Sequence, residues 1–230
     1  MKIYIVINNE SITGFKKCWG LSFFIDFNNN KLLFDTGCCG EDLIFNLKKF
    51  NIEITSFKDI IISHDHWDHT GGIFSLINID NKRRIHVGEG FSKKFAFEIE
   101  SRGAKIERDS SCRKILNDIY ISDELTTNMR EQVLILDNKD ETIILAGCSH
   151  PKIEDFAKNV FNKFNKELVI IGGFHMFSLS EQEIIKRINS LKKLNIKKIY
   201  PLHCTGELST KLLTQHLNTE IKKAGEIIEI

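Results

Sequence analysis

Six consecutive residues of this chain, His64-Asp65-His66-Trp67-Asp68-His69, carry three imidazoles and two carboxylates. These are donors for divalent cations. Zinc takes nitrogen, thiolate and carboxylate ligands, and a catalytic zinc site keeps one position for water. In an extended segment, residues two apart project to the same side, so His64 and His66 reach one ion together. The chain must turn after Trp67, and the adjacent Asp68 and His69 then serve a neighbouring ion. Water held by such an ion ionises with a pKa near 7, against about 15.7 in bulk water, so the chemistry to expect is hydrolysis. The bland alternative is a solvated loop. It does not explain this density of donors directly after the apolar run Ile60-Ile61-Ile62 and before Thr70-Gly71-Gly72.

The elements that must position these residues are legible over much of the chain. Lys2–Ile7, Leu21–Phe27 and Lys31–Phe34 are β-rich, and Asn28-Asn29-Asn30 marks a hairpin turn. Glu41–Phe50 has a helical pattern. Asp59–Ile62 reads as a strand buried on both faces and runs directly into the donor cluster. Further on, Gln132–Leu136 and Thr142–Ala146 form a hairpin, followed by Gly147-Cys148-Ser149-His150-Pro151. A helix over Ile153–Phe164 and a strand over Leu168–Ile171 lead to Gly172-Gly173-Phe174-His175. Ser180 and Glu183 form a capping box that opens a helix with apolar Ile184, Ile188, Leu191 and Leu194. Strand Lys198–Tyr200 leads to Pro201-Leu202-His203-Cys204-Thr205-Gly206; a helix over Leu208–Leu217 and a strand over Glu226–Ile230 end the chain. Four loops that follow strands thus end in histidine, at 64–69, 150, 175 and 203, and strand-end loops are where α/β scaffolds place chemistry. Residues 80–130 show only a strand at Arg83–Val87 and a weakly helical Ser92–Ile99. The basic residues Arg83, Arg102, Arg108 and Arg113 there read as solvated surface, with an anionic ligand as the alternative use.

Composition narrows the class. The 230 residues are 42% hydrophobic and 27% charged, which suits one soluble domain. A net charge of +1 argues against nucleic acid as a partner. No apolar run approaches the roughly 18 residues of a membrane span, and Met1–Asn8 lacks the features of a signal peptide. The six cysteines form no CxxC pair, so reduced, buried thiols in a cytoplasmic protein are expected. Cys148 and Cys204 read as packing residues rather than ligands.

The run His64-x-His66-x-Asp68-His69 with Gly71-Gly72 resembles the signature of the metallo-β-lactamase superfamily, and Phe34-Asp35-Thr36-Gly37 resembles its first motif, in which the aspartate braces the metal loop. The resemblance implies an α/β fold, the αββα sandwich of two mixed β-sheets packed face to face with helices outside. Within the superfamily, Gly147–His150, Gly172–His175, Pro201–Gly206 and the stretch Glu131–Leu134 are similar to the branch of metal-dependent hydrolases and dihydropterin ribofuranosyl-aminobenzene phosphate synthase-like proteins. The match implies that His64, His66 and His150 bind one metal and Asp68, His69 and His203 a second. Zinc is the expected ion, with manganese or iron also suited to these donors.

In one respect the chain departs from the family. Most two-metal members place a bridging aspartate where this chain has Ile171–His175, with no acid. His175 is then expected to be catalytic, as a proton donor or substrate-binding group, with a ligand or structural role as alternatives. Two divalent ions, Asp68 and a hydroxide would leave a site charge of about +2, favouring phosphate or carboxylate substrates. A flavin-dependent redox relative would carry Glu in place of His66 and a further domain, and a nuclease relative would carry a nucleic-acid-binding arm. The expectation is a hydrolase that turns a metal-bound hydroxide, with Asp68 and His175, on a small anionic ester-like or phosphate-containing molecule. A dihydropterin-type transferase and a non-catalytic metal- or ligand-sensing module are the alternatives.

Overall fold

The computed structural model describes residues 1–230. They form two compact units, Met1–Ser110 with Lys223–Ile230, and Ser111–Lys222.

In the first unit β1 (Lys2–Ile7), β2 (Ser22–Phe27) and β3 (Asn30–Phe34) make an antiparallel meander. The turn between β2 and β3 falls where the asparagine run predicts it. Asn28 and Asn29 take φ of 48° and 61°, the left-handed pair that a tight hairpin requires and that asparagine tolerates. After α1 (Gly40–Lys49) the sheet grows in parallel through β4 (Asp59–Ile61), β5 (Arg84–Val87) and β6 (Lys105–Arg108). The helices α2 (Trp67–Thr70), α3 (Ile73–Ile79) and α4 (Lys93–Ser101) lie between these strands in the chain. The last strand of the chain, Ile227–Glu229, pairs with β1 and completes a seven-stranded sheet. Leu43 and Leu47 of α1 and Leu76 and Ile77 of α3 bury their side chains in one core with Ile60 and Ile85.

The second unit repeats the scheme with unrelated sequence. β7 (Arg113–Leu116), β8 (Ile119–Ile121), β11 (Leu134–Asp137) and β12 (Glu141–Ala146) are antiparallel neighbours, with the small hairpin β9 (Leu125–Thr126) and β10 (Arg130–Glu131) inserted. Parallel strands β13 (Glu167–Gly173) and β14 (Ile196–Leu202) follow, giving six strands in the order β14-β13-β12-β11-β8-β7. The connections are α5 (Ile153–Phe164) and α6 (Glu181–Leu191), and α7 (Glu207–His216) follows β14. α5 buries Ile153, Phe156, Ala157 and Val160, one helical face, and stops at Asn165 in the left-handed conformation. The capping box of α6 forms as expected from Ser180 and Glu183. Both sheets are mixed, and no helix is long and apolar enough to cross a membrane.

Two expectations are corrected. Cys18 and Cys38 form a disulfide, with Cα atoms 6.7 Å apart, so the six cysteines are not all reduced thiols. The loops after β1 and β3 bring together two residues that sequence spacing does not pair. Nor are the cysteines uniformly buried: Cys39 and Cys112 are partly exposed, and Cys148 and Cys204 are buried. The second correction is Arg83, which is neither solvated nor turned to a ligand but 1% exposed. Its guanidinium donates to the carbonyls of Phe57 (2.7 Å), Ile54 (2.9 Å) and Leu76 (3.4 Å) and lies over the Phe57 ring. Burial lowers its pKa, opposed by Asp80. Arg102, by contrast, is exposed and stacks on Phe74, while Arg108 donates to the carbonyls of Gly88, Glu89 and Phe91.

Arg83→Leu would take the donor from the Phe57 and Ile54 carbonyls, the Leu76 carbonyl keeping the Asp80 N–H, and lysine cannot reproduce the guanidinium's fork between them. Both substitutions are expected to lower unfolding free energy by about 3 kcal/mol, read as a fall in the urea midpoint, with Arg102→Leu changing it by less than about 1 kcal/mol.

Candidate metal centre

In the first unit the donors follow the carboxyl end of β4, a central parallel strand, where ligand sites of α/β sheets are found. His64 lies in a bend just past β4, and His66, on extended backbone (φ −99°, ψ 148°), precedes the short helix α2, which carries Asp68 and His69. Nε2 of His64 and Nδ1 of His66 are 3.0 Å apart, so the two imidazoles converge on one point, as the spacing predicts. Nε2 of His69 lies 3.7 Å from a carboxylate oxygen of Asp68, and the His64 and His69 ring centroids are 4.3 Å apart. The four residues therefore form one cluster. Asp65 is aimed elsewhere, accepting from the backbone N–H of Ser92 at 2.9 Å.

Asp35, just past β3, holds this cluster from beneath. It is fully buried with φ of 54°, an uncommon conformation for a residue other than glycine. Its carboxylate accepts from Ser63 N–H and Ser63 Oγ, both at 2.7 Å, and meets Nδ1 of His69 at 2.6 Å. Burial pushes its carboxyl above the usual range, while His69 and Ser63 pull it back. Ser63 Oγ also meets Nδ1 of His64 at 2.9 Å. Thr36 takes the carbonyl of His69 through both its N–H (2.8 Å) and its hydroxyl (2.9 Å), and Gly71 N–H donates to Gly37 at 2.9 Å. The two glycines after the donors are required by this clasp. A Cβ at Gly71 would lie 2.3 Å from the Cys38 carbonyl, and one at Gly72 would lie 2.6 Å from the Thr36 carbonyl.

The second unit places His150, His175 and His203 just past the carboxyl ends of β12, β13 and β14. His175 and His203 are in the left-handed region (φ 47° and 49°), as is Ser149 (60°). Such outliers concentrate at functional sites. His150 has its own buried carboxylate, Glu131. Glu131 accepts from the N–H groups of Cys148 (2.8 Å), Ser149 (2.8 Å) and His150 (2.9 Å), and meets Nδ1 of His150 at 2.9 Å. The sequence pattern marks the stretch around Glu131 but assigns it no role; the glutamate lies 19 residues before its histidine, and only the turn back through β11 and β12 joins them.

The His175 ring centroid is 4.4 Å from that of His150, and its Nδ1 is buried without a hydrogen-bond partner. His175, Cys148 and Cys204 offer one ligand atom each within 4.8 Å of one another, and both cysteines are buried. The Cys204 thiol beside it raises the His175 pKa, against the opposing effect of burial. Burial would push the Cys204 thiol up, but Cys148, His175 and the charge of His203 hold it well below the ordinary thiol range. No acid stands at the end of β13, as the sequence reading anticipates.

These donors suit divalent ions. Nδ1 of both His69 and His150 is taken by a carboxylate, which turns the Nε2 lone pair outward in the manner of metal-ligating histidines. A family model for the metallo-β-lactamase superfamily matches residues 18–203, a span that contains all of these donors but Cys204. The chain belongs to the metallo-β-lactamase superfamily.

Among relatives, a 7,8-dihydropterin-6-methyl-4-(β-D-ribofuranosyl)-aminobenzene-5′-phosphate synthase of Methanocaldococcus jannaschii is 29% identical, over 91% of this chain and 89% of its own length. An uncharacterized protein of the same organism is 30% identical, over 99% and 100%. Among solved structures, a metal-dependent hydrolase of the β-lactamase superfamily matches with a TM-score of 0.86 at 23% identity, covering 100% of this chain and 99% of that one. A metallo-β-lactamase fold protein from Bacillus subtilis matches at 0.74 and 13%, covering 99% of each. The fold is thus the superfamily's, two mixed sheets with helices.

Asp35→Asn and Glu131→Gln preserve shape but remove the charge that orients a donor imidazole. Each is expected to weaken zinc binding by about 10- to 100-fold, measured by competition with a chromophoric chelator. Unchanged affinity in both would make these carboxylates structural only.

Proposed function

We propose that this chain is a metal-dependent hydrolase of small anionic substrates, ester-like or phosphate-containing. In this proposal, which follows the family resemblance, His64, His66 and His150 would hold one divalent ion, and Asp68, His69 and His203 a second. The strongest support is the pair of buried carboxylates, Asp35 and Glu131, spent on holding the Nδ1 side of His69 and His150. A ligand histidine gains basicity and a fixed tautomer from such a brace. Zinc is the proposed ion, with manganese and iron as substitutes.

When bound, such ions bring the pKa of a water near 7 and draw charge from the electrophile. Asp68 adds an acceptor that orients the attacking water. His175, whose ring lies against that of His150, would protonate the leaving group in this proposal. With no acid at the end of β13, the centre keeps an excess of positive charge, which favours an anionic substrate.

The second reading is a group transfer of the kind that the name of the Methanocaldococcus jannaschii synthase describes. Water enriched in ¹⁸O separates the two, with zinc- or manganese-loaded protein and a panel of phosphate esters, phosphodiesters and lactones. Label in the product is the expected result. Turnover without label overturns hydrolysis in favour of transfer, and no turnover by fully loaded protein turns the reading toward a sensing module. His175→Ala is expected to keep its metal and lose about 100-fold in kcat, most with poor leaving groups. Loss of metal instead would make His175 a ligand.

A further inference from the structure

Beside His150 and His175 the second unit has an open cavity of about 370 Å³, whose wall includes Lys152, Glu154, Glu183, Lys186 and Arg187. Its size falls within the range of small-molecule sites. The charges on the wall are not equivalent. Glu154 takes Nε of Arg187 at 3.0 Å and Nη2 at 2.9 Å, and Nη1 of Arg187 donates to the Phe174 carbonyl at 3.1 Å. That pair is therefore committed to joining α5, α6 and the residue before His175. Glu183 is committed as well, accepting from the Ser180 N–H at 2.8 Å in the capping box of α6. The ammonium groups of Lys152 and Lys186 remain, and neither has an ion pair or hydrogen bond.

Lys152 is also an expensive residue at its position. It precedes α5 with φ of 110° and ψ of 132°, and its side chain makes no cap. Glycine would sit there without strain, and what lysine adds is its cationic side chain. Two uncommitted cations therefore face a cavity that also reaches the donor His150 and the proton-donating His175.

We infer that this cavity is the anion subsite of the substrate: a phosphate or carboxylate group is held by Lys152 and Lys186 as a binding handle, while the bond to be broken lies at His150 and His175. The assignment of that bond rests on the hydrolase reading, but the binding of an anion by the two lysines does not. The handle is then not the reacting group. Specificity for anions arises partly from this wall and not from the metals alone.

The test is calorimetric titration of inorganic phosphate, and in parallel acetate, into zinc-loaded protein and into the Lys152→Gln/Lys186→Gln variant. Millimolar binding by the wild type and at least a 10-fold weakening in the variant are expected, and the preferred anion identifies the handle. Binding should persist after chelation of the metal, because the lysines need no ion. Equal affinity in wild type and variant, binding lost on chelation, or no binding at all would overturn the subsite. Lys186→Gln alone, on the exposed face of α6, gives the same comparison without touching the strained position. If the protein proves catalytic, the double variant should raise KM for an anionic ester at least 10-fold and leave kcat and a neutral ester unaffected. A protein that binds phosphate through these lysines but turns over nothing would refute the hydrolase and leave the subsite standing.

Discussion

A carboxylate removed from water is tolerated only where its lone pairs are met by donors. Asp35 is such a group, with two donations from Ser63 and the Nδ1 face of His69 around it. The metal loop depends on this arrangement. Ser63 sets where the chain leaves β4, and through its hydroxyl it also fixes the ring of His64. His69 is turned so that its remaining nitrogen faces Asp68. The second unit solves the same problem with a different residue. Glu131 collects three consecutive N–H groups and then the ring of His150. Each carboxylate thus performs two tasks at once, closing a loop and orienting a donor.

Both loops stand where the sheet is parallel. In each unit an antiparallel meander feeds a set of parallel strands, and every donor histidine follows the carboxyl end of one of them. A parallel strand must hand its chain to a crossover, so its end is a sharp turn away from the sheet. Here the turns are tight enough to hold Asp35, Ser149, His175 and His203 at positive φ. The strain is tolerable because each turn is tied down, by Thr36 and Gly71 in the first unit and by Arg187, Thr205 and Glu131 in the second.

β13 leads into His175 with no acid at its end, and this sets the electrostatics there. A bridging carboxylate would compensate metal charge, whereas an imidazole does not. It brings instead a ring that lies among two buried thiols and against His150.

Much of this was legible from residue order. The donor run at 64–69, the strands that precede it, the asparagine turn, α5 and the capping box of α6 are local features, set by period, turn chemistry and hydrogen bonds within a few residues. The superfamily could be read from its motifs for the same reason. Residues 105–131 were not legible, because β6 to β10 are strands of two to four residues with mixed polarity, too short to show a period. The Cys18–Cys38 disulfide, the burial of Arg83 under three carbonyls and the grip of Glu131 on His150 depend on contacts across roughly 20 to 30 residues. The sequence by itself determined which atoms can bind a metal. Only the tertiary structure decided which nitrogen His69 and His150 present, because that choice belongs to the carboxylate behind the ring.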